Sequence, residues 1–163
     1  MGVYESTTVG VGTRAPVDAT SEIAIAAGRD VVWGLLTDFE RWPAWNRDVG
    51  SIAVDGPAIE GMSFRWKAGA MTIVSVIQRM RAPQLIAWTG KTPGIRAIHV
   101  WALEETGATT TVRTRETWDG GLVRLLRSPM RRMLQRSLDR GLRSLKEAAE
   151  RAADAAGQAG NGG

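Results

Sequence analysis

The sequence predicts an α+β fold: a strongly curved seven-stranded antiparallel sheet around one long C-terminal helix, with two short helices after the first strand. Two observations carry this. Residues 49–118 alternate apolar and polar side chains in short runs broken by DGP, KAG, RAP, KTPG and ETGAT, the turn signals of a meander. Residues 122–149 instead space Leu122, Leu126, Met130, Leu134, Leu138, Leu142, Leu145 and Ala149 by three or four, the period of one buried helical face.

In chain order, residues 1–19 are small, polar and Gly/Thr-rich and read as a flexible leader. A strand over 21–26 is followed by a helix over 29–39, where Val31, Val32, Leu35, Leu36 and Phe39 share a face. FERWPAWN comes next. Pro43 has no N–H and disfavours helical geometry at Trp42, so the first helix is expected to end by then, and Pro43 is placed to open a short second turn. Six strands follow, over 49–55, 62–68, 71–81, 84–91, 95–105 and 109–118. Ser128-Pro129 has the form of an N-cap and a first-turn proline, which predicts a short lead-in kinking into a main helix over 129–153, about 37 Å long. The terminal DAAGQAGNGG, 154–163, reads as a disordered tail. One domain, 20–153, lies between leader and tail, without internal repeat or coiled-coil register.

Composition narrows the chemistry. The chain has 163 residues and no cysteine, so disulfides, thiolate nucleophiles and Cys-ligated zinc are excluded, and a single histidine leaves no usual metal set. No cofactor is implied: GVGTR and TGKTPG lack the spacing and strand-to-helix context of a phosphate loop, and Lys67 and Lys91 fall on exposed positions, unsuited to a Schiff base. The start lacks the apolar core of a signal peptide and no run is long enough for a membrane span, so a cytoplasmic location is expected. The Ala-, Arg- and Gly-rich composition fits a GC-rich bacterial genome. Net charge is +4, concentrated in residues 122–153, where nine Arg and Lys stand against three Asp and Glu. Arg124, Arg127, Arg131, Arg132, Arg136, Arg140 and Arg143 read as the solvated back of the last helix. Attraction to an anionic membrane or acidic partner is the minority reading, and nucleic acid is not expected.

The order of elements, with VWGLLTDFERWPAWN after the first strand, HVWALEETGATTTVRTRETWDG across the last two strands and LDRGLRSLKEAAE in the final helix, resembles the SRPBCC superfamily. Within it the match is to the START-like, helix-grip branch of polyketide cyclases/dehydrases and lipid-transport proteins. The resemblance covers about residues 20–153. It implies a deep hydrophobic cavity between sheet and helix, and a hydrophobic small molecule as partner: a polyketide, an aromatic compound or a lipid. Some members are enzymes and others only binders, so the fold does not choose between binding, cyclase/dehydrase-type catalysis and lipid carriage.

Alternation sorts the last two strands into faces. Ala97, His99, Trp101 and Leu103 share one face, taken as inward because it holds the larger rings and matches the H-x-W-x-L pattern of the family. On the partner strand Thr110, Val112, Thr114, Glu116 and Trp118 form the more apolar face, which turns Glu116 inward. A carboxylate on an apolar wall needs a partner or a proton. His99 on the neighbouring strand supplies one, and a His/Glu pair has the proton-transfer groups of enolisation, aldol cyclisation or dehydration; the expected state is a carboxylate holding the imidazole charged. The alternative is a Glu116 satisfied by Arg79, Arg65 or backbone N–H groups, with His99 in the core. Phe64, Trp66, Trp88, Trp101 and Trp118 form either an aromatic box for a flat ligand or a core of rings packed on one another. Trp42 and Trp45 cap one end of the sheet as plugs or, for Trp45, as a ligand contact. Gly141, inside the last helix beside Leu138 and Leu145, permits close helix approach or leaves a vacant stretch of pocket wall.

Overall fold

The computed structural model describes residues 15–160. In chain order these form β1 (Val17–Ile25), α1 (Arg29–Thr37), a single 3-10 turn at Phe39–Arg41, α2 (Trp42–Trp45), β2 (Ser51–Val54), β3 (Ser63–Ala68), β4 (Met71–Arg81), β5 (Leu85–Thr92), β6 (Ile95–Thr106), β7 (Thr109–Asp119), α3 (Gly121–Leu125) and α4 (Arg127–Gly160). The seven strands make one sheet in the order β1-β7-β6-β5-β4-β3-β2, every neighbouring pair antiparallel. One irregularity, between Ile77 and Arg79, shifts the β4–β5 register; such bulges add bend to a sheet. The α4 helix lies along β1, fixed at its flank by Ser21 Oγ donating to Asp139 Oδ1 (2.6 Å) and Lys146 Nζ donating to the Ala24 carbonyl (2.7 Å).

Several boundaries differ from the sequence reading, three of them for a clear physical reason. The first strand begins at Val17 instead of 21, so the leader overlaps it; Val17 and Ala19 are buried, and their small alternating side chains are a weak but real period-2 signal. Residues 1–14 of that leader lie outside the described residues. At the other end, α4 runs through the expected disordered tail as far as Gly160, though residues 154–159 are exposed, because alanine carries the helical ladder on without tertiary contacts. The last three residues of that tail also lie outside the described residues. The main helix also starts at Arg127, which makes Ser128 part of its first turn and not a cap; Pro129 sits there too, where no intrahelical N–H bond is lost.

The buried stripe of the last segment is shorter than predicted. Met130, Leu134, Leu138, Leu142, Leu145 and Ala149 are buried, but Leu122 and Leu126 are 44% and 42% exposed. The chain breaks helical geometry at Leu126 (φ −116°, ψ 39°), and the short α3 turns Val123 inward instead. Gly120 precedes it with φ 142°, and a Cβ there would fall onto the carbonyl oxygen of Gly94, so the approach of the β7 end to the β5–β6 turn requires glycine.

Two apolar clusters fill the space between sheet and helix. The larger joins Ile25, Val32, Leu36, Phe39, Trp42, Phe64, Ile77, Trp88, Trp101, Leu142 and Leu145; the smaller joins Val17, Ala19, Ile95, Val123, Met130, Leu134 and Leu138. In FERWPAWN, Trp42 is buried with its ring 4.8 Å from Phe39 and 5.5 Å from Trp88, and its Nε1–H donates to the Leu36 carbonyl at 3.0 Å. Its hydrogen bond is satisfied by the last turn of α1, which ends at Thr37, while Pro43 sits in the first turn of α2 with Trp42 helical (φ −52°, ψ −42°), so the ring is a plug for the end of the core. Trp45 is half-buried, edge-on to Trp42 at 6.4 Å, and its buried Nε1 has no partner.

Candidate functional site

Hairpin register builds the site. Gly107, at φ 61°, and Ala108 turn β6 into β7 so that Thr106 pairs with Thr109. The ladder then runs without a slip, which sets His99 directly opposite Glu116. The same row continues through Trp88 on β5 and Ile77 on β4, and through Ala19 on β1. The next row reads Phe64, Ser75, Gly90, Ala97, Trp118 and Val17. Three small residues in succession, Ser75, Gly90 and Ala97, leave a trough in the concave face.

A cavity of about 380 Å³ occupies this trough. Its walls include Trp66, Trp88, Trp118, Met71 and Ile73, with His99 and Glu116 on the sheet side and Met133, Ser137 and Arg140 from α4. At the exposed end, Arg140 makes an ion pair with Asp48 at 3.0 Å, and Arg47 stands beside them. A second hollow, about 490 Å³, is open to solvent beside Lys91, Gly94, Arg96 and Gly120 and contains none of the buried polar groups.

From behind the sheet wall to the cavity surface, Thr114, His99, Glu116 and Trp118 form one polar chain. Thr114, fully buried, donates its hydroxyl proton to the Val100 carbonyl (3.2 Å), so its oxygen accepts from His99 Nε2–H at 2.7 Å. That tautomer leaves Nδ1 of a neutral imidazole as an acceptor, 3.3 Å from Glu116 Oε2. Glu116 Oε1 in turn accepts from Trp118 Nε1–H at 2.7 Å. The His99 and Glu116 side chains are only 13% and 16% exposed. Burial pushes the carboxyl up to about 7, opposed by the Trp118 hydrogen bond, and pushes the imidazole down to about 3. Below about pH 7 burial therefore favours the pair with both groups uncharged, the acid proton of Glu116 facing Nδ1. The direction of both shifts runs against the charged imidazole expected from the sequence, because burial penalises each charge.

The other sequence candidates divide. Trp66, Trp88 and Trp118 line the cavity, whereas Phe64 and Trp101 are buried behind it; Trp101 stacks on Trp88 (6.4 Å, 25°) and its Nε1 has no partner. Trp45 and Gly141 are not among the lining residues, and a Cβ on Gly141 would meet nothing within 4 Å, so no element approaches it closely. The aromatic set therefore divides: Trp66, Trp88 and Trp118 face the cavity, and Phe64 and Trp101 are packed as core. The sequence reading missed Ser75, Thr114, Gly90 and the Arg140–Asp48 pair. Ser75 is fully buried, accepts from Trp66 Nε1 at 3.2 Å and can still donate into the cavity. Its signal was available: a polar residue on the inward face of β4, in register with a glycine. Among the described residues no cluster of three or more His, Asp or Glu comes together, and no helix is long and apolar enough to cross a membrane.

A curved antiparallel sheet closed on a long helix, with a polar pair inside an aromatic cavity, defines a START-like helix-grip protein. The chain belongs to the polyketide cyclase/dehydrase and lipid-transport family, within the SRPBCC superfamily, whose sequence profile matches residues 16–150. No curated protein matches it by sequence. Similar solved structures include a Thermus thermophilus protein (20% identity, TM-score 0.73, 83% of this chain and 98% of that one) and a START superfamily protein from Mycobacterium smegmatis (14%, 0.66, 84% and 97%). The di-domain aromatase/cyclase StfQ of the steffimycin biosynthetic pathway is similar at 17% identity and TM-score 0.67, over 82% of this chain and 45% of that one.

Proposed function

We propose that the protein binds a flat, hydrophobic small molecule of aromatic or polyketide type in this cavity. The observation that carries the reading is the trough of Ser75, Gly90 and Ala97 walled by Trp66, Trp88 and Trp118. Indole faces favour planar ligands, and one wall offers hydrogen-bonding groups held uncharged for a carbonyl or hydroxyl. The family description and the likeness to an aromatase/cyclase support the ligand class. Titrating naphthalene- and anthraquinone-like compounds while following tryptophan emission should give saturable quenching. If no apolar compound, lipids included, changes the emission, the rings are only core.

The neutral pair supports a second reading, catalysis of dehydration. In a β-hydroxy ketone held against the pair, Glu116 gives its proton to the departing hydroxyl, which leaves as water. Freed of that hydrogen bond, His99 Nδ1 takes the α-proton as the carbon–carbon double bond forms. Transfer of this proton from Nδ1 to Glu116 Oε2 across 3.3 Å restores the neutral pair. Incubation with a β-hydroxy aryl ketone separates the readings: turnover lost in both His99→Gln and Glu116→Gln supports catalysis, and saturable binding without turnover leaves a binder.

A further inference from the structure

Residues 120–138 contain five arginines and no carboxylate. Four of them, Arg127, Arg131, Arg132 and Arg136, are exposed and have no carboxylate partner among the described residues, while Arg124 pairs with Asp119 at 3.1 Å. The same stretch exposes large apolar side chains that the core does not use. Leu125 is 80% exposed, Met133 45%, and Leu122 and Leu126 flank the α3–α4 break. An exposed leucine is ordinary; three within five residues, interleaved with unpaired arginines, are not. The patch also joins the cavity, because Met133 lines it, one turn before Ser137 and two before Arg140 on the same face of α4.

We infer that the α3–α4 corner docks on an anionic membrane surface, with Leu125 and Leu126 entering the headgroup region and the arginines held by lipid phosphates. The projection of Leu125 decides between occupants. A protein helix would need a groove to lie in, whereas a protruding apolar tip ringed by cations matches the depth and charge of a lipid interface. The inference rests on the cavity reading for its purpose: docking here brings the Met133 side of the cavity against the phase in which a hydrophobic ligand dissolves. The separation of buried stripe and charged face, which speaks against membrane binding along most of α4, does not extend to this corner.

The chain has no cysteine, so Leu125→Cys gives a unique site for an environment-sensitive nitrobenzoxadiazole label, with Val74→Cys, exposed on β4, as the control. With vesicles of phosphatidylcholine and phosphatidylglycerol at low salt, the label at 125 should brighten and shift to the blue and the label at 74 should not; pure phosphatidylcholine should do neither. In sedimentation of the unlabelled protein, Leu125→Asp should lower partition about tenfold, and Arg132→Ser with Arg136→Ser should lower it about twenty- to thirtyfold and flatten its salt dependence. Circular dichroism and the quenching titration of the cavity, repeated on each variant, separate a lost surface from a lost fold or a failed cavity reading. Folded protein that ignores anionic vesicles overturns the inference and leaves an acidic protein as the partner of the patch. Binding indifferent to Leu125 also overturns it, as adhesion of charge alone.

Discussion

Replacing Glu116 by glutamine tests whether the buried pair is neutral. The amide is isosteric with the protonated carboxyl: its NH₂ donates to His99 Nδ1 and its carbonyl accepts from Trp118 Nε1, the two contacts Glu116 makes now. What it removes is ionisation. In the folded protein the Glu116 carboxyl is raised from 4.5 to about 7, so the native state keeps a proton that the unfolded chain releases, and stability drains away as pH rises from 4.5 to 7. At 1.36 kcal/mol per unit this is about 3 kcal/mol, complete above pH 7. His99 works in the opposite sense: lowered from 6.5 to about 3, it costs stability as pH falls below 6.5. Between 4.5 and 6.5 the two slopes cancel in the wild type, whereas the variant keeps only the histidine slope and gains stability up to 6.5. Urea unfolding followed by tryptophan emission at pH 4.5, 6.5 and above 7 should therefore show the variant gaining about 3 kcal/mol on the wild type across the range. A constant gap, or one that moves against the variant as pH rises, would mean that Glu116 is ionised beside a charged imidazole, and the neutral-pair argument would be lost.

Ala97→Phe should fill the trough between Gly90 and Trp118 and abolish quenching by aromatic ligands; unchanged affinity would place the ligand elsewhere. Thr114→Val removes the oxygen that accepts from His99 Nε2–H, and should cost about 1–3 kcal/mol in urea unfolding, since the imidazole is largely buried and that N–H loses its partner. Gly120→Ala meets both an unfavourable φ and the Gly94 carbonyl, and should destabilise by about 2 kcal/mol or more, against a small effect for the open Gly141→Ala.

Strand positions were legible because turn chemistry and period-2 alternation agree along residues 49–118, and the His99–Glu116 pairing follows from a two-residue turn with no bulge beyond it. The protonation state was not legible, because it depends on how much water the rows of Trp88 and Trp118 exclude, a property of packing and not of spacing. Nor was the trough: Ser75, Gly90 and Ala97 lie 15 and 7 residues apart, and only the registers of two ladders bring them side by side. The periodic leucines misled at Leu122 and Leu126 because periodicity assumes one continuous helix, and the break at Leu126 turns the preceding residues off the stripe. At both termini composition was read as disorder where backbone pairing with β7, at one end, and alanine propensity, at the other, keep the chain regular.

The strand order carries a kinetic consequence. From β2 to β7 every partner is the next strand in the chain, so five hairpins can close over short loops at small entropic cost. Only β1 has a distant partner: Val17 must find Trp118 across the whole of that meander. With β1 go the buried Val17 and Ala19 and the flank along which α4 lies. The wall that carries Trp118 and Glu116 is thus half-built from local contacts and finished by the most remote one, and a chain stalled before that step presents the ring and the carboxyl of the future cavity on an open sheet edge.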